Sequence, residues 1–168
     1  MPRNKVLIPL NQSELSQEIL PYVEKFISAE ANELILFFVT RPPSGAGFGE
    51  PDLAAGYVPR PGDEPVMPTL HPIYESQQED SITAHVEAEL MSVTGHLREV
   101  GYQVSLVVGF DKDPVDAILS EIHNNKIDLV AMSTRAHVGL TRFFFRNIAD
   151  ILAQKAKIPV LLTHPCEE

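Results

Sequence analysis

The chain has a single cysteine, Cys166. No internal disulfide is available, so an apolar core must hold the fold, and such cysteine usage fits a reducing cytoplasm. No apolar run approaches the ~20 residues of a membrane-spanning helix. The opening MPRNKVLIPL is too short and too soon interrupted to read as a signal peptide. Basic residues are scarce: 13 Lys and Arg stand against 23 Asp and Glu, for a net charge of −10. Nucleic acids and anionic membranes are usually met with a basic face, so neither is expected as a partner. Catalytic signatures are missing too. There is no G-x-S-x-G, no H-E-x-x-H and no G-x4-G-K-[ST]. Without a nucleophile–base pair or a metal cluster, the sequence does not read as an enzyme.

The few basic residues are unevenly spread. Residues 135–157 carry Arg135, Arg142, Arg146, Lys155 and Lys157 with a single acid, Asp150. A local positive region on an acidic protein suits a small anion better than a polymer. That region follows an apolar run, Leu129 to Met132, and precedes a helical pattern and a second apolar run, Val160 to Leu162. Strand, loop, helix and strand in this order set a helix N-terminus at the carboxyl end of a parallel strand, where anions bind.

The rest of the chain alternates in the same way. Lys5–Leu10 reads as strand 1. A helix capped by Asn11 or Ser13 and running through Ala29 follows, with Leu15, Ile19, Val23, Phe26 and Ile27 on one buried face and a kink at Pro21. Leu34–Val39 reads as strand 2, apolar throughout as strands covered on both faces are. Glu75–Val100 predicts the longest helix, its stripe formed by Ile82, Val86, Leu90, Val93, Leu97 and Val100, with Gly101 as the stop. Gln103–Val108 is strand 3. Asp113-Pro114 opens a helix to about His123, burying Ile118, Leu119 and Ile122 and ended by Asn124-Asn125. Asp128–Ser133 is strand 4, a helix from about Asn147 to Lys157 buries Ile148, Ile151 and Leu152, and Pro159–Thr163 is strand 5. Between Arg41 and Pro72 lie 8 of the 14 prolines and 5 of the 9 glycines, which marks a long loop insert over about 41–75. Its Gly45-Ala46-Gly47-Phe48-Gly49 lacks the spacing and the following helix of a phosphate loop.

The order β-α-β-α-β-α-β-α-β over 168 residues predicts one domain, 1–168. Its fold class is α/β, an open doubly wound parallel sheet with helices on both faces. Ligands in such sheets bind beyond the carboxyl ends of the strands, where the strand order reverses.

With these elements in place the chain resembles the universal stress protein family over nearly its whole length, the insert excepted. Lys5-Val-Leu-Ile-Pro-Leu is similar to the family's first strand. Ser13-Glu14 and Ile19-Leu20-Pro21-Tyr22-Val23-Glu24 resemble its first helix, Asp128-Leu-Val-Ala-Met-Ser-Thr its fourth strand and Ile158-Pro-Val-Leu-Leu-Thr its last. The resemblance implies a Rossmann-like, adenine nucleotide alpha hydrolase-like fold with five strands in the order 3-2-1-4-5. It also implies a cytoplasmic stress-response regulator, and a homodimer paired through the last strands, here Pro159–Thr163. Nucleotide-binding members carry G-x2-G-x9-G-[ST] after strand 4. On this chain those positions are Ser133, Ala136, Arg146 and Asn147, and the aspartate after strand 1 is Asn11. The implied site therefore comprises Pro9, Leu10, Asn11, Val39, Met132, Ser133, Arg135, Ala136, Arg146 and Asn147. Val39 and the backbone of Pro9 to Asn11 would face an adenine. The ligand to which the resemblance points is ATP with Mg²⁺, but the lost glycines predict weak or absent binding. Arg146 either blocks the phosphate position or, with Arg135 and Arg142, grips the phosphate as an arginine fork in place of backbone amides.

Other conspicuous residues have plainer readings. Phe143-Phe144-Phe145 is read as core or dimer contact. His85 and His96, three turns apart on one helix, are read as surface histidines, and His137 as a solvated loop residue. Asp113 is read as a helix cap beside Asp111, and Cys166 has no neighbour to activate it. The insert leaves strand 2 near the adenine position and is read as a mobile cover.

Overall fold

Strand β1, Asn4–Leu10, is the middle strand of a five-stranded parallel sheet in the computed structural model, which describes residues 3–43, 72–134 and 148–164, with backbone alone for 72–75. The others are β2 (Asn32–Thr40), β3 (Gln103–Phe110), β4 (Leu129–Ser133) and β5 (Val160–Thr163), in the spatial order β3-β2-β1-β4-β5. This is the expected order and direction. The apolar runs decide it. Val6 to Leu10 and Leu34 to Phe38 are buried on consecutive residues, which only a strand covered on both faces requires.

Alternation along the strands divides the core in two. Val6, Ile8, Leu34, Leu36 and Phe38 face helices α1 (Leu20–Phe26), α2 (Pro72–Glu89) and α3 (Met91–Val100). Leu7, Ile35, Phe37, Val130 and Met132 face α4 (Pro114–Asn125) and α5 (Ile148–Lys155). The expected cover on both faces is present. Asp128 ties β4 to the start of β1, its N–H donating to the Lys5 carbonyl at 2.9 Å and its Oδ2 accepting from the Lys5 N–H at 2.8 Å.

Two helices differ from the sequence reading. The first is not a kinked α-helix through Ala29. Glu14–Ile19 is a 3-10 helix, and α1 begins only at Leu20, which sets Pro21 in the first turn, where its missing N–H costs nothing. Ile19 and Val23 stay buried across the junction, but Phe26, the last residue of α1, points outward, 65% exposed, with the Lys25 ammonium 5.3 Å from its ring centre, while Ile27 is buried beyond the helix end.

The long helix is likewise broken into α2 and α3 at Leu90, whose backbone leaves helical geometry (φ −89, ψ 4). The bonds Leu90 N–H to Val86 carbonyl and Thr94 N–H to Leu90 carbonyl, both 2.9 Å, persist across the bend. Val86, Leu90 and Leu97 are buried as predicted, but Val100 is exposed. His85 and His96 therefore lie on different helices, both exposed, and His96 Nε2 lies 3.2 Å from Glu24 Oε1 on α1. Gly101 ends α3 at φ 111, as its position predicts.

Tyr102 locks the end of α1: its buried hydroxyl donates to the Ile27 carbonyl at 2.5 Å. Burial, then the Glu24 carboxylate, raises the Tyr102 pKa above its ordinary value. Asp113 caps α4, accepting from the Val115 N–H at 2.8 Å. The stop is Lys126 at φ 53, one residue past the Asn124-Asn125 expected to end α4.

Candidate functional site

The crevice starts where β1 and β4 stop pairing. Their ladder holds Val6 to Leu129 and Leu7 to Val130 and goes no further. On the outer sides pairing continues, to Leu10 opposite Phe38 and to Ser133 opposite Thr163. Pro9 supplies the reason. The Lys5 carbonyl faces β4, accepting from Asp128. In a parallel ladder every second residue faces the same neighbour, so Leu7 and Pro9 face β4 as well. Proline has no N–H to offer there. The β1–β4 ladder therefore ends early, and its end coincides with the reversal of strand order between β2-β1 and β4-β5.

The predicted site residues on described elements gather at this end of the sheet. Buried Pro9 and Leu10 and exposed Asn11 form one lip; Met132 and Ser133 form the other. Val39 is half-buried one strand away and packs toward the α4–α5 face. Arg135, Ala136, Arg146 and Asn147 lie outside the described residues, as do Arg142, Phe143-Phe144-Phe145, His137, Cys166 and nearly all of the insert.

The turn after β1 is held by hydrogen bonds that sequence reading missed. Asn11 does not cap a helix. Its Oδ1 accepts from the Ser13 N–H at 2.8 Å. Ser16, buried, folds its hydroxyl back under the same turn, donating to the Ser13 carbonyl at 2.8 Å and accepting from the Asn11 N–H at 3.2 Å. Ser13 opens the 3-10 helix without a side-chain cap bond. The sequence cue was an asparagine two residues before a serine, the pattern of an Asx turn.

The opposite lip continues into β5. Ser133 Oγ and Thr163 Oγ1 are 3.2 Å apart, the Thr134 N–H donates to the Thr163 carbonyl at 2.9 Å, and His164 Nδ1 lies 3.3 Å from the Thr134 carbonyl. The carboxyl end of β5 thus carries polar groups beside Ser133 and Thr134, which strand periodicity does not reveal. At the outer edge, Phe37 leans across the sheet. A methyl group on Gly109 would lie 2.6 Å from its ring, so β3 needs glycine there for Phe37 to pack beside Val39. On the other face of β2, at the same end, a cleft of about 560 Å³ is lined by Gln12, Phe38, Thr40, Ile82, His85 and Glu89. Among the described residues no three His, Cys, Asp or Glu side chains gather as a metal site.

An open parallel α/β sheet in the order β3-β2-β1-β4-β5, with polar groups at the carboxyl ends of β1, β4 and β5, defines a protein of the Rossmann-like α/β class. The chain belongs to the Universal stress protein family, whose model matches residues 2–164. It is similar in fold to several solved structures. The hypothetical protein MJ0577 matches at TM-score 0.64 and 19% identity, over 100% of both chains. A universal stress protein in complex with cAMP matches at TM-score 0.62 and 14% identity, over 98% of both chains. A family protein from Arabidopsis thaliana with AMP bound matches at TM-score 0.59 and 14% identity, over 97% of this chain and 92% of the other. No curated protein matches the chain. No helix among the described residues is long and apolar enough to cross a membrane.

Proposed function

We propose that the protein is a homodimeric, cytoplasmic stress-response regulator whose switch-point crevice receives an adenine nucleotide only weakly. The observation that carries this reading is the family match over residues 2–164, combined with Ser133, Ala136 and Arg146 at the three glycine positions of nucleotide-binding members. Solved family members at this fold hold AMP and cAMP, which supports adenine nucleotides as the ligand class.

The residues fit such a ligand in part. Val39 offers an apolar contact for a base, and Asn11, its Oδ1 taken by the Ser13 N–H, offers its Nδ2 group at the end of β1. ATP with Mg²⁺ is the form in which a nucleotide would arrive, the ion offsetting phosphate charge. The phosphate grip is where affinity is lost, because an arginine at 146 displaces the close backbone approach that glycine permits. Native mass spectrometry of the protein, purified with nothing added, is expected to show no retained nucleotide. A stoichiometric adenine nucleotide in that spectrum favours the second reading, an arginine-based grip through Arg135, Arg142 or Arg146.

Homodimer formation through Pro159–Thr163 is part of the proposal. Among the described residues strand β5 pairs with β4 on one side only, and Val160, Leu161 and Leu162 are each half-buried. An apolar edge strand of this kind needs cover.

A further inference from the structure

Strand β2 outruns its inner neighbour. The β1–β2 ladder ends at Leu10 opposite Phe38, whereas β2 stays paired with β3 as far as Thr40 opposite Phe110. Phe38 and Thr40 share the face of β2 that α2 covers. Along α2, Ile82 and Val86 are four apart and pack toward the sheet, and Val86 is buried. Ser81, His85 and Glu89 form the adjacent row, again four apart, and are exposed. Where β1 has ended, these elements leave the cleft of about 560 Å³, a volume within the roughly 300–1,000 Å³ of small-molecule sites. Its floor is Phe38, Ile82 and Val86, and its rim is Gln12, Thr40, Ser81, His85 and Glu89. Val39 points to the other face of the sheet, toward α4 and α5.

The rim is polar and uncommitted. Among the described residues no hydrogen bond or ion pair holds the side chain of Gln12, Thr40, Ser81, His85 or Glu89. Four of the five supply oxygen acceptors: the Gln12 amide, the Thr40 and Ser81 hydroxyls and the Glu89 carboxylate. No lysine or arginine lines the cleft. Helix α2 as a whole carries Glu75, Glu79, Asp80, Glu87 and Glu89 and no basic partner for them. An anion entering here meets a carboxylate and no lysine or arginine. An ammonium group meets acceptors and an opposite charge, and it has three donors to share among them. We propose that this cleft is a second binding site, separate from the switch-point crevice, and that it takes a small organic cation, a primary amine on an aromatic or apolar body. The body covers Phe38, Ile82 and Val86, and the ammonium donates to Glu89 and to the neighbouring hydroxyls. The site does not depend on the nucleotide reading above.

Phenethylamine and 3-phenylpropionate are similar in size and opposite in charge. Each is titrated into wild type, Glu89→Gln and Glu87→Gln by ligand-observed NMR, with thermal midpoints as the folding control. Glu87 is exposed on the same helix and does not line the cleft, so its variant removes the same charge elsewhere. The amine is expected to bind wild type saturably, with a dissociation constant on the order of a millimolar or below. The acid is expected not to saturate. Glu89→Gln is expected to weaken the amine roughly fivefold or more, and Glu87→Gln to leave it unchanged. Amine and acid binding alike overturns the proposal. So does an equal loss in the two variants, which reduces the effect to general attraction to an acidic helix. No binding of the amine to wild type overturns it as well, and leaves the chain's own residues 44–71, which join β2 to α2 in sequence, as the next occupant to test.

Discussion

Leu162→Pro is expected to turn a dimer into a monomer at micromolar protein concentration, as read by sedimentation velocity, while the fold survives. The asymmetry comes from the ladder. The carbonyls of Pro159 and Thr163 accept from Val130 on β4 and from Thr134 just past its end, so the odd-numbered residues of β5 face β4. Val160 and Leu162 face the open edge by the same alternation. A proline at 162 removes an edge N–H and spares the β4 ladder, which is where a strand tolerates proline. In a dimer built by pairing identical edges the loss enters twice, once from each copy. Two missing hydrogen bonds and the clash of two rings weaken association by roughly 3 kcal/mol or more, over a hundredfold in the dissociation constant. Some packing is also lost, since Leu162 lies half-buried against the α4–α5 core, so a thermal midpoint lower by several degrees is expected. A Leu162→Pro protein that sediments as wild-type dimer sets the interface elsewhere, and a wild-type monomer removes the dimer from the proposal.

The second large effect is expected at Arg146. Replacing it with glycine restores the third glycine of the family motif two residues ahead of Ile148, where the described span of α5 begins. A helix start binds phosphate through backbone N–H groups that must come within hydrogen-bond distance. A long guanidinium side chain in that position takes up the space and a glycine vacates it. ATP affinity is expected to rise on the order of tenfold or more, equivalent to about 1.4 kcal/mol or more. Ser133 and Ala136 stay in place, so recovery is partial. The opposite outcome is equally readable. If Arg146→Gly and Arg146→Ala both weaken ATP binding, and rising salt weakens it in wild type, the guanidinium is a grip.

The parts of this fold that were legible in the sequence share one property: each is fixed by burial over a whole element. Leu34 to Phe38 is buried without interruption, and a run of that kind has one solution in a parallel sheet. Asp113 and Gly101 were legible because a cap and a left-handed stop each depend on one residue type at one place. Phe26 and Val100 were misplaced because each is the last residue of its helix, α1 and α3, where the buried stripe has already ended at Val23 and Leu97. Periodicity says which face is apolar but not how far along the helix the core still covers it. The position of the switch point was legible from the strand order that the family resemblance implies. Its chemistry was less so. The orientation of the Asn11 amide depends on a bond to Ser13 and on Ser16 folding back beneath the turn, and neither is a matter of hydropathy. The role of Pro9 in ending the β1–β4 ladder depends on which neighbour each residue of the strand faces, which a sequence states only once register is known.

The central claim is that the family architecture is retained while the phosphate grip is weakened. Calorimetric titration of the wild-type protein with ATP and Mg²⁺ tests it most directly. The expected result is saturable binding with a dissociation constant well above the micromolar range, or heat too small to fit. A dissociation constant at or below the micromolar range would contradict the account, because Ser133, Ala136 and Arg146 would then stand in a phosphate site that works as well as one built on glycine.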